Sequence, residues 1–141
     1  AVVIMHMKGR PHSMQKNPRY DSLIDEIMYY LKKKIEEARE AGIEENRIII
    51  DPGLGFGKTL EHNLEILRNL RDFKALGKPI LAGASRKSFI GSILNAKPQE
   101  RIFGTVSSCV IAAKNGAKII RAHDCREVKQ ALRILDEVNN S

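Results

Sequence analysis

At 141 residues the chain has room for one domain with a modest core. With 43% apolar and 29% charged residues it reads as soluble and globular: no stretch nears the roughly 18 apolar residues of a membrane span, and the opening AVVIMHMKGR lacks the basic region that leads a secretory signal. The net charge of +7 is dispersed, and its one dense cluster, Lys32-Lys33-Lys34, sits among acidic residues, which points to a solvated helix face, to no nucleic-acid partner, and to an anionic small substrate.

The predicted elements run in a regular order. Residues 1–8 form a strand whose alternation puts Val3, Met5 and Met7 on one face and Val2, Ile4 and His6 on the other. A polar loop over 9–17 leads to a helix over 20–41, striped by Ile24, Ile27, Met28, Leu31, Ile35 and Ala38 and stopped by Gly42. Ile48, Ile49 and Ile50 suit a strand buried on both faces. Asp51, Pro52 and the glycines Gly53, Gly55 and Gly57 end it, and Lys58-Thr59 opens a helix over 60–76 with Leu60, Leu64, Leu67, Leu70 and Phe73 inward. A third strand, PILAGAS, runs into Ser85-Arg86-Lys87, with a short helix over 88–94. Pro98 suits the first position of a helix that turns Ile102, Val106, Val110 and Ala113 inward and ends near Gly116. The fourth strand covers 117–123, and Asp124 with Glu127 makes a capping-box pattern for a last helix burying Val128, Ala131, Leu132 and Leu135.

Strand and helix thus alternate four times, which predicts a parallel sheet with helices outside it. A (β/α)8 barrel needs roughly 250 residues. The chain is expected to be one domain over 1–141, supplying the C-terminal four βα units of such a barrel, with a four- or five-stranded doubly wound sheet as the alternative.

In parallel α/β architectures the C-terminal strand ends share one face, where sites form. Here those ends carry Met5-His6-Met7-Lys8, Asp51 with its glycine loop, Ser85-Arg86-Lys87 and Arg121-Ala122-His123-Asp124. Alternation places Gly83, Ser85 and Lys87 together, and Ile119, Arg121 and His123 together. The glycine loop fails the P-loop pattern at Pro52 and has G-x-G-x-G where a dinucleotide fingerprint needs G-x-G-x-x-G. His6, His12, His62, His123, Cys109 and Cys125 show no paired metal-ligand spacing, and two cysteines build no disulfide framework, so a reducing cytoplasm is expected. Ser85 has cations rather than a base for neighbours, which suits a hydrogen-bonding role. What remains is a site for an anionic or electron-rich planar ligand. A buried Asp51 can accept two parallel hydrogen bonds from a guanidine-like edge, Lys87 offers a point charge, Arg121 a flat guanidinium, and His123 a donor to a leaving anion. Met5, His6, Phe56 and Arg86 each also fit purely structural roles.

The same stretches together resemble the dihydropteroate synthase family: Met5-His6-Met7 with Gly9 and Pro11, Met14-Gln15, Asp51-Pro52-Gly53-Leu54-Gly55-Phe56-Gly57-Lys58, His62-Asn63-Leu64, Gly83-Ala84-Ser85-Arg86-Lys87-Ser88-Phe89-Ile90-Gly91 and Arg121-Ala122-His123-Asp124. The resemblance implies a (β/α)8 barrel that joins 4-aminobenzoate to a dihydropterin diphosphate and releases diphosphate, with Mg2+. It implies that Asp51 grips the 2-amino and ring N–H edge of the pterin, that Lys87 bonds its other side, and that Arg121 covers its face and reaches the diphosphate. Met5 and Gly83 would line the pterin slot, His123 would hold the leaving diphosphate, Ser85 would meet the aminobenzoate carboxylate, and Phe56 and Lys58 would flank its ring. It further implies sulfonamides as competitors, a homodimer formed through outer helices, and a magnesium-binding asparagine and two mobile loops in an N-terminal half. By itself the chain is then expected to be inactive. The competing family-level reading is a pterin-binding module of the corrinoid methyltransferase type, in which the aminobenzoate end of the site would have no use.

Overall fold

The computed structural model describes residues 1–9 and 18–140. The loop expected over 9–17 lies, beyond Gly9, outside the described residues, as do Pro11, His12, Met14 and Gln15.

The described residues form four strands, β1 (Val2–Met5), β2 (Ile48–Asp51), β3 (Leu81–Ala82) and β4 (Ile119–Ile120). β1 pairs with β2 in parallel, placing Met5 beside Asp51. A parallel bridge from Ile50 to Ile80 joins β2 to β3, and β3 pairs in parallel with β4. The spatial order is therefore the chain order, without the reversal a doubly wound sheet requires. Right-handed crossovers in one direction put the connecting helices on one side of the sheet. Ile48 and Ile50 are fully buried there and Val2 and Ile4 pack on the same core, whereas Val3, on the other face, is 47% exposed.

Helix α1 (Leu23–Glu40) buries Ile27, Leu31 and Ile35 of the expected stripe and Leu23 besides, with Ile24, Met28 and Ala38 half-buried, and Gly42 follows its end in the left-handed region. The helix expected over 60–76 is two elements. α2 (Leu60–Arg68) stops at Asn69, whose side-chain amide donates to the Glu65 carbonyl, and a 3₁₀ segment, Leu70–Leu76, carries the buried Leu70 and Phe73. Leu60 and Leu64 are only half-buried, and Ile66 takes the central place.

α3 (Ser88–Leu94) forms as expected. Pro98 opens only a 3₁₀ turn, Pro98–Glu100, before α4 (Ile102–Lys114). The buried face of α4 is Thr105, Ser108, Cys109 and Ala112, about one position off the expected Ile102, Val106, Val110 and Ala113. Small side chains let this helix approach the sheet closely, and because it is apolar on nearly every side, periodicity alone does not select its inner face. α5 (Cys125–Asn140) buries Val128, with Ala131, Leu132 and Leu135 half-buried.

Candidate active site at the strand ends

Asp51 ends β2 at 1% exposure. Its Oδ1 accepts from the Gly53 N–H at 2.7 Å, and its Oδ2 lies 3.6 Å from the Arg121 guanidinium. Burial pushes the carboxyl above the usual carboxylate range, against the opposing pull of the Gly53 N–H and then of Arg121, Lys87 and Lys58. The glycine loop can follow so closely because its residues need no Cβ. Gly53 is left-handed at φ 74°, and a Cβ on it would run into the His6 carbonyl oxygen. Gly55, at φ 79°, passes the Lys87 side chain where a Cβ would stand 3.0 Å from Cδ. Asn63 of α2 closes the loop from beneath. Its Oδ1 accepts from Gly55 N–H at 2.6 Å and its Nδ2 donates to the Thr59 carbonyl. Thr59 and His62 form a reciprocal cap at the start of α2.

A cleft of about 470 Å³ opens beside this loop. Its walls bring together six of the residues singled out from the sequence, Phe56, Gly83, Ser85, Lys87, Arg121 and His123. Lys87 Nζ donates to the Leu54 carbonyl at 2.9 Å and stands 4.0 Å above the centre of the Phe56 ring. Burial, then the neighbouring Arg121, lower its pKa, while Asp51 opposes them. Arg121 lies across Gly83, where a Cβ would be 3.0 Å from the guanidinium. The Ser85 hydroxyl accepts from the His123 backbone N–H at 3.1 Å and pairs with its Nδ1 at 2.9 Å, so Ser85 fixes the imidazole.

Three of the expected residues are not on these walls. Asp51 lies behind them, reached through Arg121. Met5 is half-buried beside it in the β1–β2 register. Lys58 is only 4% exposed: its Nζ meets His6 Nδ1 at 3.0 Å and donates to the Phe56 carbonyl at 3.0 Å. Burial brings Lys58 down to about 7, helped by Lys87 and opposed by Asp51. His6 falls to about 4, through burial first and then Lys58 and Lys8. Neutral His6 therefore accepts at Nδ1 and carries its proton on Nε2. Lys58 thus holds the loop that presents Phe56, from below. Tyr20 fastens the same loop through a 2.8 Å bond to the Gly57 carbonyl.

The turn after β3 leaves extended backbone yet keeps the facing that alternation predicts, with Gly83, Ser85 and Lys87 on one cleft. Arg86 is left-handed at φ 55°, a conformation costing roughly 1–3 kcal/mol outside glycine. Arg86 points out of that cleft, where its guanidinium takes both oxygens of Asp124. The Asp124 carboxylate is thus engaged across the β3 and β4 ends. Asn63 and Thr105, each buried on the inner face of its helix, are the contributors least visible from pattern reading. A polar residue on an inward helix face was the available signal. No group of three His, Cys, Asp or Glu side chains among the described residues could hold a metal ion.

Known proteins share this fold and much of this sequence. Over 135 residues the chain is 44% identical to "Dihydropteroate synthase" of Escherichia coli K12, covering 96% of this chain and 48% of the relative. A solved Yersinia pestis dihydropteroate synthase with a sulfonamide drug complex superposes with a TM-score of 0.96 at 43% identity, over 98% of this chain and 50% of that one. The Xanthomonas albilineans enzyme, solved with 7,8-dihydropteroate and with 4-aminobenzoic acid, superposes in both cases with a TM-score of 0.91, at 36% and 37% identity, over 99% of this chain and about half of its own. The chain spans about half the length of the curated relatives it matches. The family model described as "Pterin binding enzyme" matches residues 1–123, from β1 through the His123 end of β4, leaving only α5 and its approach outside. The chain therefore belongs to the pterin binding enzyme family.

Proposed function

We propose that this chain is the C-terminal half of a (β/α)8-barrel dihydropteroate synthase. It would condense 4-aminobenzoate with (7,8-dihydropterin-6-yl)methyl diphosphate and release diphosphate. The observation that carries the reading is one buried carboxylate, Asp51, set behind a cleft whose wall holds Lys87, Arg121 and His123. An uncharged heterocycle with a guanidine-like edge satisfies Asp51, and the cations suit a diphosphate. The related structures solved with a sulfonamide, with 4-aminobenzoic acid and with 7,8-dihydropteroate support the same substrates and competitors.

In this reading Asp51 accepts the 2-amino and ring N–H edge of the pterin, and Lys87 donates to the ring from the opposite side. Arg121 leaves Asp51 to cover the pterin face and reach the diphosphate, while Met5 and Gly83 line the slot. The C–O bond from the pterin methylene to diphosphate breaks as the aminobenzoate nitrogen forms its C–N bond. That nitrogen then loses a proton to solvent. The electron pair of the broken bond leaves with diphosphate, where Arg121 and His123 stabilise the developing charge. Phe56 flanks the aminobenzoate ring. Ser85 serves the carboxylate end of the cleft while bonded to His123, and Lys58 acts through the Phe56 carbonyl.

For magnesium, which the family resemblance implies, the described residues offer no fitting site. Both Asp51 oxygens already face an N–H and a guanidinium, and among the described residues no group of three His, Cys, Asp or Glu side chains could hold the ion. No step above passes through a metal. The domain is taken to extend unbroken over 1–141, to act in the cytoplasm, and to be inactive without the remainder of a barrel. Dimerisation through the outer helices is supported by Phe103, 82% exposed on α4, together with Ile111, Ile134 and Val138. A methyltransferase-type module is less favoured, because the matched relatives are named dihydropteroate synthase.

Calorimetric titration with a dihydropterin analogue tests the reading. Binding by the parent chain that Asp51→Asn weakens at least about 100-fold is expected, as two charge-assisted hydrogen bonds are lost. Equal binding by both would overturn the assignment of Asp51. A folded parent that ignores the analogue would overturn the claim that this chain alone forms the slot.

A further inference from the structure

The left-handed turn at Arg86 is built against the preference of its own residue, and its backbone is met by one neighbouring stretch, Arg101 and α4. Thr105 of α4 is fully buried, and its Oγ1 accepts the Arg86 N–H at 3.0 Å. Arg101, just before α4, donates from Nη1 to the Arg86 carbonyl at 2.9 Å and, more distantly, to the Lys87 carbonyl, while its Nε donates to the Ala96 carbonyl. Space for this guanidinium exists because residue 91 of α3 is glycine. A Cβ there would overlap it. The polar groups of the turn are thus met from outside, by the buried Thr105 hydroxyl and by a guanidinium that donates to two carbonyls of the turn and one of Ala96.

We propose that Thr105 and Arg101 are positioning residues: they hold the Ser85-Arg86-Lys87 turn in the left-handed conformation in which the Lys87 ammonium meets the Leu54 carbonyl and the Phe56 ring. Without them Arg86 would relax to extended backbone, the chain would run straight on from β3, and the Lys87 ammonium would be carried away from the Leu54 carbonyl and the Phe56 ring. The inference uses the proposed function only in taking that cleft as the ligand site.

Amide hydrogen exchange on the chain itself, followed by NMR, tests it directly. Thr105→Val keeps the shape of the side chain and removes the acceptor. The Arg86 amide is expected to exchange at least about tenfold faster, with the amides of α1 unchanged. Thr105→Ser should restore the parent rate within about twofold. An Arg86 amide equally slow in the Val variant, or a Ser variant no better than Val, would overturn the proposal. Gly91→Ala displaces Arg101 by an independent route and should speed exchange at Lys87, whose N–H closes the turn onto Ala84. Unchanged Lys87 exchange there would overturn the part assigned to Arg101, and this variant decides that part even where Thr105→Val does not fold. Titration with the dihydropterin analogue should show about tenfold weaker binding by Thr105→Val and recovery by Thr105→Ser. A parent that does not bind the analogue would count against the proposed function, while the exchange rates would still decide the role of the clamp.

Discussion

The loop after β2 and the turn after β3 both reverse the chain through left-handed residues, and they face each other across the same cleft. The first does so with glycines, at no conformational cost, and most of its ties are near in sequence: Gly53 to Asp51, Gly55 to Asn63, and Lys58 to Phe56. The second does so with an arginine and is held by Thr105, Arg101 and Asp124, between 15 and 38 residues away. A loop made of permissive residues is shaped by its own sequence. A turn made of reluctant ones is shaped by its neighbours, so it can be altered from a distance.

Three substitutions sharpen that contrast. The largest effect is expected at Gly53, where alanine meets both an unfavourable φ and the His6 carbonyl. Gly53→Ala should cost about 3 kcal/mol, read from the midpoint of urea unfolding. An effect below about 1 kcal/mol would mean that the loop simply moves aside.

Lys58→Met ranks second. It leaves the buried Phe56 carbonyl and His6 Nδ1 without their donor, at about 2 kcal/mol near pH 8. The pH profile carries the sharper signature. Since burial lowers Lys58 from 10.5 to about 7, the unfolded chain holds a proton that the folded chain lacks between those values, and stability rises with pH. Cys109 and Tyr20, pushed up to about 11 and about 12, act in the opposite sense only above their ordinary values of 9.0 and 10.0. The rise should therefore be visible from about pH 7 to 9, and Lys58→Met should flatten it. A parent profile with no slope in that window would contradict the burial of a neutral Lys58.

Arg86→Gly should change least. Relief of the left-handed strain offsets the loss of an exposed ion pair, and the melting temperature should stay within about 2 °C of the parent. A fall of many degrees would show that the Asp124 pairing, and not Thr105 and Arg101, holds the turn.

Much of the site is legible in the residues alone because its chemistry and its local geometry coincide. Three β-branched residues, a carboxylate and spaced glycines leave Asp51 little choice but to end a buried strand beside an open loop. The ends of β3 and β4 announce themselves in the same way, as polar clusters after apolar runs. Where the reading slips, a second interaction competes with the periodic one. Asn69 bonds its own preceding turn and splits a helix that leucine spacing carries straight through. α4 offers several apolar faces, and close packing of small side chains selects among them. Lys58 reads as a free cation beside a ligand until folding buries it on His6.

By itself, then, the sequence determined the order of strands and helices, the face on which polar strand ends gather, and the family, since all three depend on patterns within short windows of chain. Only the tertiary structure decided which cations line the cleft and which support it. It also decided that Arg86 is left-handed and not extended, and that a threonine and an arginine at α4 bond the turn after β3. Those outcomes depend on burial and on hydrogen-bond partners far apart along the chain, and no local window of sequence contains them.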